Sequence, residues 1–374
     1  MKVTLSIIKA DVGSIGGHTM PSDEMMTAVK DKLTAAIRSG LVIDGLVTHT
    51  GDDIAMIMSH TKGINSTEIH VGLAWEAFLA ATRVAQQQGN YGAGQDLLVD
   101  APSGNVRGAG PAVAEIEFEL LPSYRPAESF MVFAADKCAP GAYNLPLYLV
   151  FCDPMHNGGL LLSPRLHEGF TLTIMDMDAK EGDRLIKLDV PERAWDACAL
   201  LRDMDRFAIE SIHSRAFPDE QIVSVSATRL HNISGRYTGK DDPVALFRNQ
   251  GIFPAPEEAV EPYLIGHYVA GDARGSHTMP IMPVAINTPV SGPYCLPLVT
   301  CIGFSMDSAG RFAGRYNDFF ANQAWDSTRL HVQRKAVEIR RQGFFGVAMA
   351  SQAEIAYTGL MDTMKKLDSE FFSR

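Results

Sequence analysis

No CxxC pair occurs in this sequence, and its five cysteines (Cys138, Cys152, Cys198, Cys295 and Cys301) are an odd number. A disulfide framework is therefore not expected; free thiols in a reducing cytoplasm are. No Lys/Arg-rich run interrupts a net charge of -11, so a nucleic-acid backbone is not an expected partner. No segment approaches the ~20 apolar residues of a membrane span, and no membrane partner is expected. The N-terminal MKVTLSIIKAD reaches an acid too soon for a signal peptide. Dinucleotide-binding GxGxxG and Walker-type loops are missing at strand ends. There is no low-complexity tract and no evident linker. The tetrapeptide HTMP at 18–21 and 277–280 is too short to be a repeat.

What is there is the composition of a globular protein: 374 residues, 46% hydrophobic and 21% charged, enough for a sizeable core as one large domain or two ordinary ones. Strands are predicted at VTLSII (3–8), LVIDGLVT, IAMIMSH, VAEIEFEL (113–120), SFMVFAAD, FTLTIMDM, DRLIKLD, FAIESIH and IVSVSAT. The reasons are alternating or β-branched apolar residues between turn signals. Helical spacing predicts helices over about 21–39, 66–88, 191–204 and 324–343. Asp242 before Pro243 reads as a cap and first residue of a further helix. Interleaved helices and adjacent strand pairs favour a mixed α/β or α+β sandwich over a doubly wound parallel sheet.

Polar clusters recur where strands end. Asp11 and His18 flank a Gly-rich turn after the first strand. Asp52 and Asp53 precede the third. Gln95 follows the long helix. Asp136 ends an apolar strand with Lys137 beside it, and Asp241 and Asp242 close the segment RYTGKDDP. Singly, each is explained by turn or cap chemistry. If they converge, carboxylates with an amide oxygen suit Mg²⁺ or Mn²⁺ far better than zinc, and clustered divalent ions point to phosphate chemistry. The loops SGNVRGAGP (103–111), with Asn105 and Arg107, and ARGSH (273–277), with Arg274 and His277, offer backbone donors and guanidinium forks for phosphates.

The stretches IKADVGSIGGH, THTGDD, GQDLL, SGNVRGAGP, ADKCAPGAYNLPLY, GRYTGKDDPV and RGSHTMPIMPV together resemble the bifunctional fructose-1,6-bisphosphate aldolase/phosphatase family (class V fructose-1,6-bisphosphatases) of archaea and some deep-branching bacteria. The resemblance implies one domain over 1–374 with a four-layer α-β-β-α sandwich, several Mg²⁺ ions per active site, a cytoplasmic homo-octamer and a gluconeogenic role. It implies that dihydroxyacetone phosphate and glyceraldehyde 3-phosphate condense to fructose 1,6-bisphosphate, whose 1-phosphate is then hydrolysed to give fructose 6-phosphate. By resemblance Lys240 forms the Schiff base and Tyr237 moves the proton. Asp11, His18, Asp52, Asp53, Gln95, Asp136, Asp241 and Asp242 fall on metal positions. His18, Tyr91, Ser103, Gly104, Asn105, Lys137, Gln250, Arg274, Ser291 and Tyr357 fall on substrate positions. Where members often carry Asp-Gly-Pro, this chain has Ser291-Gly-Pro, which keeps hydrogen bonding to a sugar hydroxyl but loses a charge. Two other readings stand beside this one. The first is a Mg²⁺-dependent sugar bisphosphatase in which Lys240 only binds phosphate; the second is a non-catalytic sugar-phosphate-binding protein.

Overall fold

Alternation sets the architecture. In the first strand, β1 (Lys2–Asp11), Val3, Leu5 and Ile7 face one way and Ile8 and Ala10 the other, and both sets are buried. A strand buried on both faces must lie inside a layered structure. The structure, a computed structural model, describes residues 1–98, 110–120, 128–179, 183–226, 241–269, 278–290, 296–342 and 359–374.

The first sheet has the order β2-β3-β1-β4, with β2 at Asp44–Thr50, β3 at Asp53–His60 and β4 at Ala112–Glu119, antiparallel throughout. Its outer face packs on α1 (Asp23–Ser39) and α3 (Glu76–Gln88) through Ile8, Ala10, Met56, Val29 and Phe78. The Ser22 side chain accepts from the Met25 N–H to start α1, and Gly40 at φ 76 closes it, the usual N-cap and left-handed C-cap pairing. Before α3 the chain makes the short helix α2 (Thr67–Ile69) and a π-helical turn at His70–Trp75. The long helix expected over 66–88 is therefore present but interrupted.

The second sheet runs β13-β14-β5-β10-β9-β8-β6-β7-β16, with β15 on the far side of β14. Its members are β5 (Glu128–Asp136), β6 (Phe170–Asp176), β7 (Arg184–Val190), β8 (Phe207–Ser214), β9 (Gln221–Val225), β10 (Val244–Asn249), β13 (Met282–Pro283), β14 (Leu298–Met306), β15 (Phe312–Asp318) and β16 (Phe372–Ser373). A separate pair joins β11 (Tyr268–Val269) to β12 (Met279–Pro280). One face of the second sheet meets α4 (Asn144–Cys152), the short α5 (Gly159–Leu162) beside it, and α6 (Ala194–Leu201), in a cluster containing Phe133, Phe151, Phe170, Leu200 and Phe247. The other face meets the first sheet through Val3, Leu5, Ile7, Phe118, Phe130, Val132, Ala134, Leu246 and Phe304. The side chains of that layer differ in size along it. Phe118 and Phe130 touch at one end, with ring centroids 4.9 Å apart, whereas Ala55, Ala112 and Ala134 form the other.

Several expectations are corrected. Pro243 does not begin a helix: Val244–Asn249 is a strand between β5 and β9, the Pro243 carbonyl accepts from Ala135, and Asp242 has φ 50. VALFRN is buried along its length, and the chance to fill a central sheet position outweighs the Asp-Pro cap signal. The 191–204 helix is confined to Ala194–Leu201, and the second strand starts at Asp44 rather than Leu41. Over 324–343 a 3-10 turn, Gln323–Trp325, leads into the helix Asp326–Arg341. α4 was not expected, because NLPLYLVFC has no amphipathic period. Pro146 is tolerated there because first-turn N–H groups have no intrahelical acceptor.

Candidate metal centre

The period of two along each strand decides which acids meet. On β1 the face of Val3, Leu5 and Ile7 continues to Lys9 and Asp11, and on β3 the face of Ala55 and Ile57 continues to Asp53. On β5 the face of Phe130, Val132 and Ala134 continues to Asp136. All these side chains enter the gap between the sheets at its alanine-lined end, where Asp11 pairs with Asp53 and Asp136 with Leu298. The acids expected at strand ends thus converge, and they come from both sheets.

Two groups of ligand atoms lie within 4.8 Å of one another: Asp11, His18 and Asp52, and Asp52, Asp53 and Asp136. Asp52 belongs to both. Lys137 Nζ donates to Asp52 Oδ1 at 2.5 Å and to Asp136 Oδ1 at 3.0 Å. Lys137 has φ 60, a left-handed conformation uncommon outside glycine. Asp52 Oδ2 is buried with no hydrogen bond among the described residues; His18 Nδ1 lies 3.4 Å away. His18 in turn meets the exposed Tyr91 edge-to-face at 4.8 Å. Tyr91 is held there by backbone bonds to Ser14.

The turn between β2 and β3 is built for close approach. Gly51 has φ 55, and a Cβ there would stand 1.7 Å from Asp136 Oδ2. The Gly51 N–H donates to the Thr288 carbonyl, and the His49 ring Nδ1 to the Gly51 carbonyl at 2.8 Å. On the other side, Gly94 and Asp96 donate backbone N–H groups to the carbonyls of Val12 and Asp11, which sets the half-buried Gln95 beside the end of β1. Asp242 Oδ1 accepts from the Cys138 N–H at 2.8 Å, while its own N–H donates to the Cys138 carbonyl. That exchange fastens Asp242, with Asp241 before it, next to Asp136 and Lys137.

Electrostatically the acids are unequal. Burial, reinforced by the charges of Asp52 and Asp53, drives Asp11 well above the ordinary carboxylate range. Burial does the same to Asp136, against the pull of Lys137. Loss of solvation and then the charge of Asp241 push Asp242 up to about 7. For Asp52, burial is outweighed by the Lys137 ammonium and by hydrogen bonds, so it is held far below the usual range. A nest of carboxylates that cannot all ionise together is a site that gains from cations.

Gln250 is not brought to this nest. It is exposed, with φ 73, beyond the opposite end of β10 from Asp242. Lys240, Tyr237, Ser103, Gly104, Asn105, Arg107, Arg274, His277, Ser291 and Tyr357 lie outside the described residues. Two participants were missed from sequence. Lys9 is fully buried and ion-paired to Asp53; its place on the core-facing parity of a strand was the signal. Asp96, also buried, accepts the Asp11 N–H at 3.0 Å, and only its position next to Gln95 hinted at it.

The model of a family described as fructose-1,6-bisphosphatase matches residues 2–372. The chain belongs to this fructose-1,6-bisphosphatase family. Relatives named fructose-1,6-bisphosphate aldolase/phosphatase agree along nearly the whole length. The Thermus thermophilus protein is 53% identical over 371 residues, 99% of this chain and 100% of the relative. The Cenarchaeum symbiosum protein is 46% identical over 99% of this chain and 95% of its own, and the Moorella thermoacetica protein 41% identical over 99% and 94%. For a fructose-1,6-bisphosphatase the donor set fits a hard divalent cation: carboxylate oxygens, one imidazole, and a buried carboxylate oxygen with no hydrogen bond among the described residues,.

Proposed function

We propose that this chain is a bifunctional gluconeogenic enzyme that joins dihydroxyacetone phosphate to glyceraldehyde 3-phosphate and then removes the 1-phosphate of the resulting fructose 1,6-bisphosphate. The observation that carries the reading is the convergence of Asp11, Asp52, Asp53 and Asp136 from two sheets, in a chain whose relatives bear both activities in their names. Asp11, His18, Asp52, Asp53, Gln95, Asp136, Asp241 and Asp242 are the proposed holders of several Mg²⁺ ions. Magnesium held there supplies Lewis-acid stabilisation of phosphoryl charge. Lys137, ion-paired with Asp52 and Asp136, is the proposed contact for a phosphate oxygen. Tyr91, through its contact with His18, would flank the sugar.

In the aldol half, the Lys240 amine condenses with the ketone of dihydroxyacetone phosphate, losing water, and Tyr237 carries the proton that leaves and returns. Ser103, Gly104, Asn105, Arg274, Ser291 and Tyr357 are the remaining proposed substrate contacts. The three apolar clusters, one between the sheets and one outside each, support a four-layer α-β-β-α sandwich in one domain over 1–374. No described helix is long and apolar enough to cross a membrane; the cytoplasm is the location we propose. A homo-octamer is the assembly we propose.

Borohydride reduction in the presence of dihydroxyacetone phosphate, followed by peptide mass spectrometry, tests the aldol half; an adduct on Lys240 is expected. EDTA-sensitive release of phosphate from fructose 1,6-bisphosphate tests the other half. Phosphate release without an adduct would leave a sugar bisphosphatase. Neither activity would leave a binding protein.

A further inference from the structure

Lys9 lies at this centre, and the proposed chemistry does not use it. Its side chain is 0% exposed and its partner Asp53 2%. It occupies an inter-sheet position next after Val3, Leu5 and Ile7, where an aliphatic residue would continue the pattern. The residues directly opposite it on the neighbouring strands are both alanines, Ala55 on β3 and Ala112 on β4. A long stem therefore runs between small neighbours toward the acids. The ammonium pairs with Asp53 Oδ2, one position along the same face, and its charge also acts on Asp242 from the second sheet. A buried ammonium carries a large desolvation cost, and it is retained only against a well-placed counter-charge.

We propose that Lys9 is a positioning residue: a cation built into β1 that holds Asp53 in place, so that the acid cluster stands assembled before divalent cations bind. The inference rests on the reading of the cluster as a metal centre. Without Lys9, Asp53 becomes a buried carboxylate whose compensation must come from bound metal, so the stability of the fold becomes tied to Mg²⁺. A lysine that merely fills core volume has no such coupling.

The test is thermal unfolding of the full chain, wild type and Lys9→Met, each in excess EDTA and in saturating Mg²⁺. Methionine keeps most of the stem and removes the charge. The expected result is a Tm drop of roughly 4–6 °C for K9M in EDTA, shrinking to about 1–2 °C in Mg²⁺. The Mg²⁺-induced rise in Tm is then larger in the variant than in the wild type. An equal drop in both buffers overturns the proposal while leaving the metal centre intact. No Mg²⁺ effect on the wild type removes the metal centre itself, and the proposal with it. Should K9M fail to fold in either buffer, K9M/D53N decides: recovery in EDTA supports the charge pairing, and continued failure shows a packing role and overturns it.

Discussion

Asp11 and Asp53 stand directly opposite one another across the antiparallel pair β1–β3. Like charges in that relationship destabilise a sheet by a few tenths to about 1 kcal/mol, and burial makes Asp11 harder to ionise. Asp11→Asn should therefore leave the metal-free protein as stable as the wild type, or more so by about 0.5–1 kcal/mol. The same change should weaken Mg²⁺-dependent phosphate release by about 100-fold or more, the scale of losing an electrostatic group that acts in the transition state. Urea titration in EDTA and an Mg²⁺ titration of phosphate release read the two effects, and a less stable variant in EDTA would sink the argument.

Gly51→Ala places a methyl carbon on Asp136 Oδ2 and 2.5 Å from Val290 Cγ2, at φ 55. Neither neighbour is free to retreat, since Asp136 is buried and paired with Lys137. The expected cost is about 1–3 kcal/mol of stability, with a raised Mg²⁺ requirement because Asp136 has been displaced. Unchanged Mg²⁺ dependence would mean that the turn does not set the position of Asp136.

Arg248 tests a part of the core away from the centre. It is buried at the far end of β10, bonded to Glu128 Oε1 and Oε2 at 3.2 and 3.3 Å and to Glu220 Oε2 at 2.6 Å, and it lies over the rings of Phe118 and Phe253. Arg248→Met takes the guanidinium away from Glu128, which is 2% exposed. Breaking such a pair costs about 3–5 kcal/mol. Chemical denaturation should show that loss, while phosphate release per folded molecule stays within about two-fold, a change of under ~0.5 kcal/mol in the barrier.

Two buried histidines give the fold a predictable acid limit. Burial lowers both His60 and His267 to about 4; His60 also donates to Ser6 Oγ at 2.8 Å and accepts the Lys62 N–H. In the unfolded chain an imidazole takes its proton near 6.5. Between those values the unfolded state binds more protons, so stability is complete above about 6.5 and falls as pH drops toward 4. Each ring contributes at most about 3 kcal/mol over that window. His267→Gln should flatten the dependence of unfolding free energy on pH between 6.5 and 4.5; an identical slope would assign the acid sensitivity elsewhere.

The sequence was most informative where one period governs. The alternation in VTLSII and VAEIEFEL and the helical spacing from Met25 to Ala36 led to β1, β4 and α1 almost to their ends. The same alternation explains why Asp11 and Asp136 reach one site. It failed where a segment's state is decided by neighbours far along the chain. VALFRN is a strand because β5 and β9 flank it, and the Asp-Pro before it gave a competing local signal. α4 is apolar on every side, so its period carries no face. Lys9 escaped notice because a lysine is ordinarily a surface residue; only the strand register shows that this one points inward.

Because the first sheet supplies Asp11, Asp52 and Asp53 and the second Asp136 and Asp242, the width of the centre is the local thickness of the apolar layer between them. Ala55, Ala112 and Ala134 line that end, and Phe118, Phe130 and Phe304 the other. A single added methylene among those alanines would change the span across the acids without touching a ligand. Packing and the acid cluster here share one dimension, so a change of core volume at the alanine-lined end is also a change to the centre.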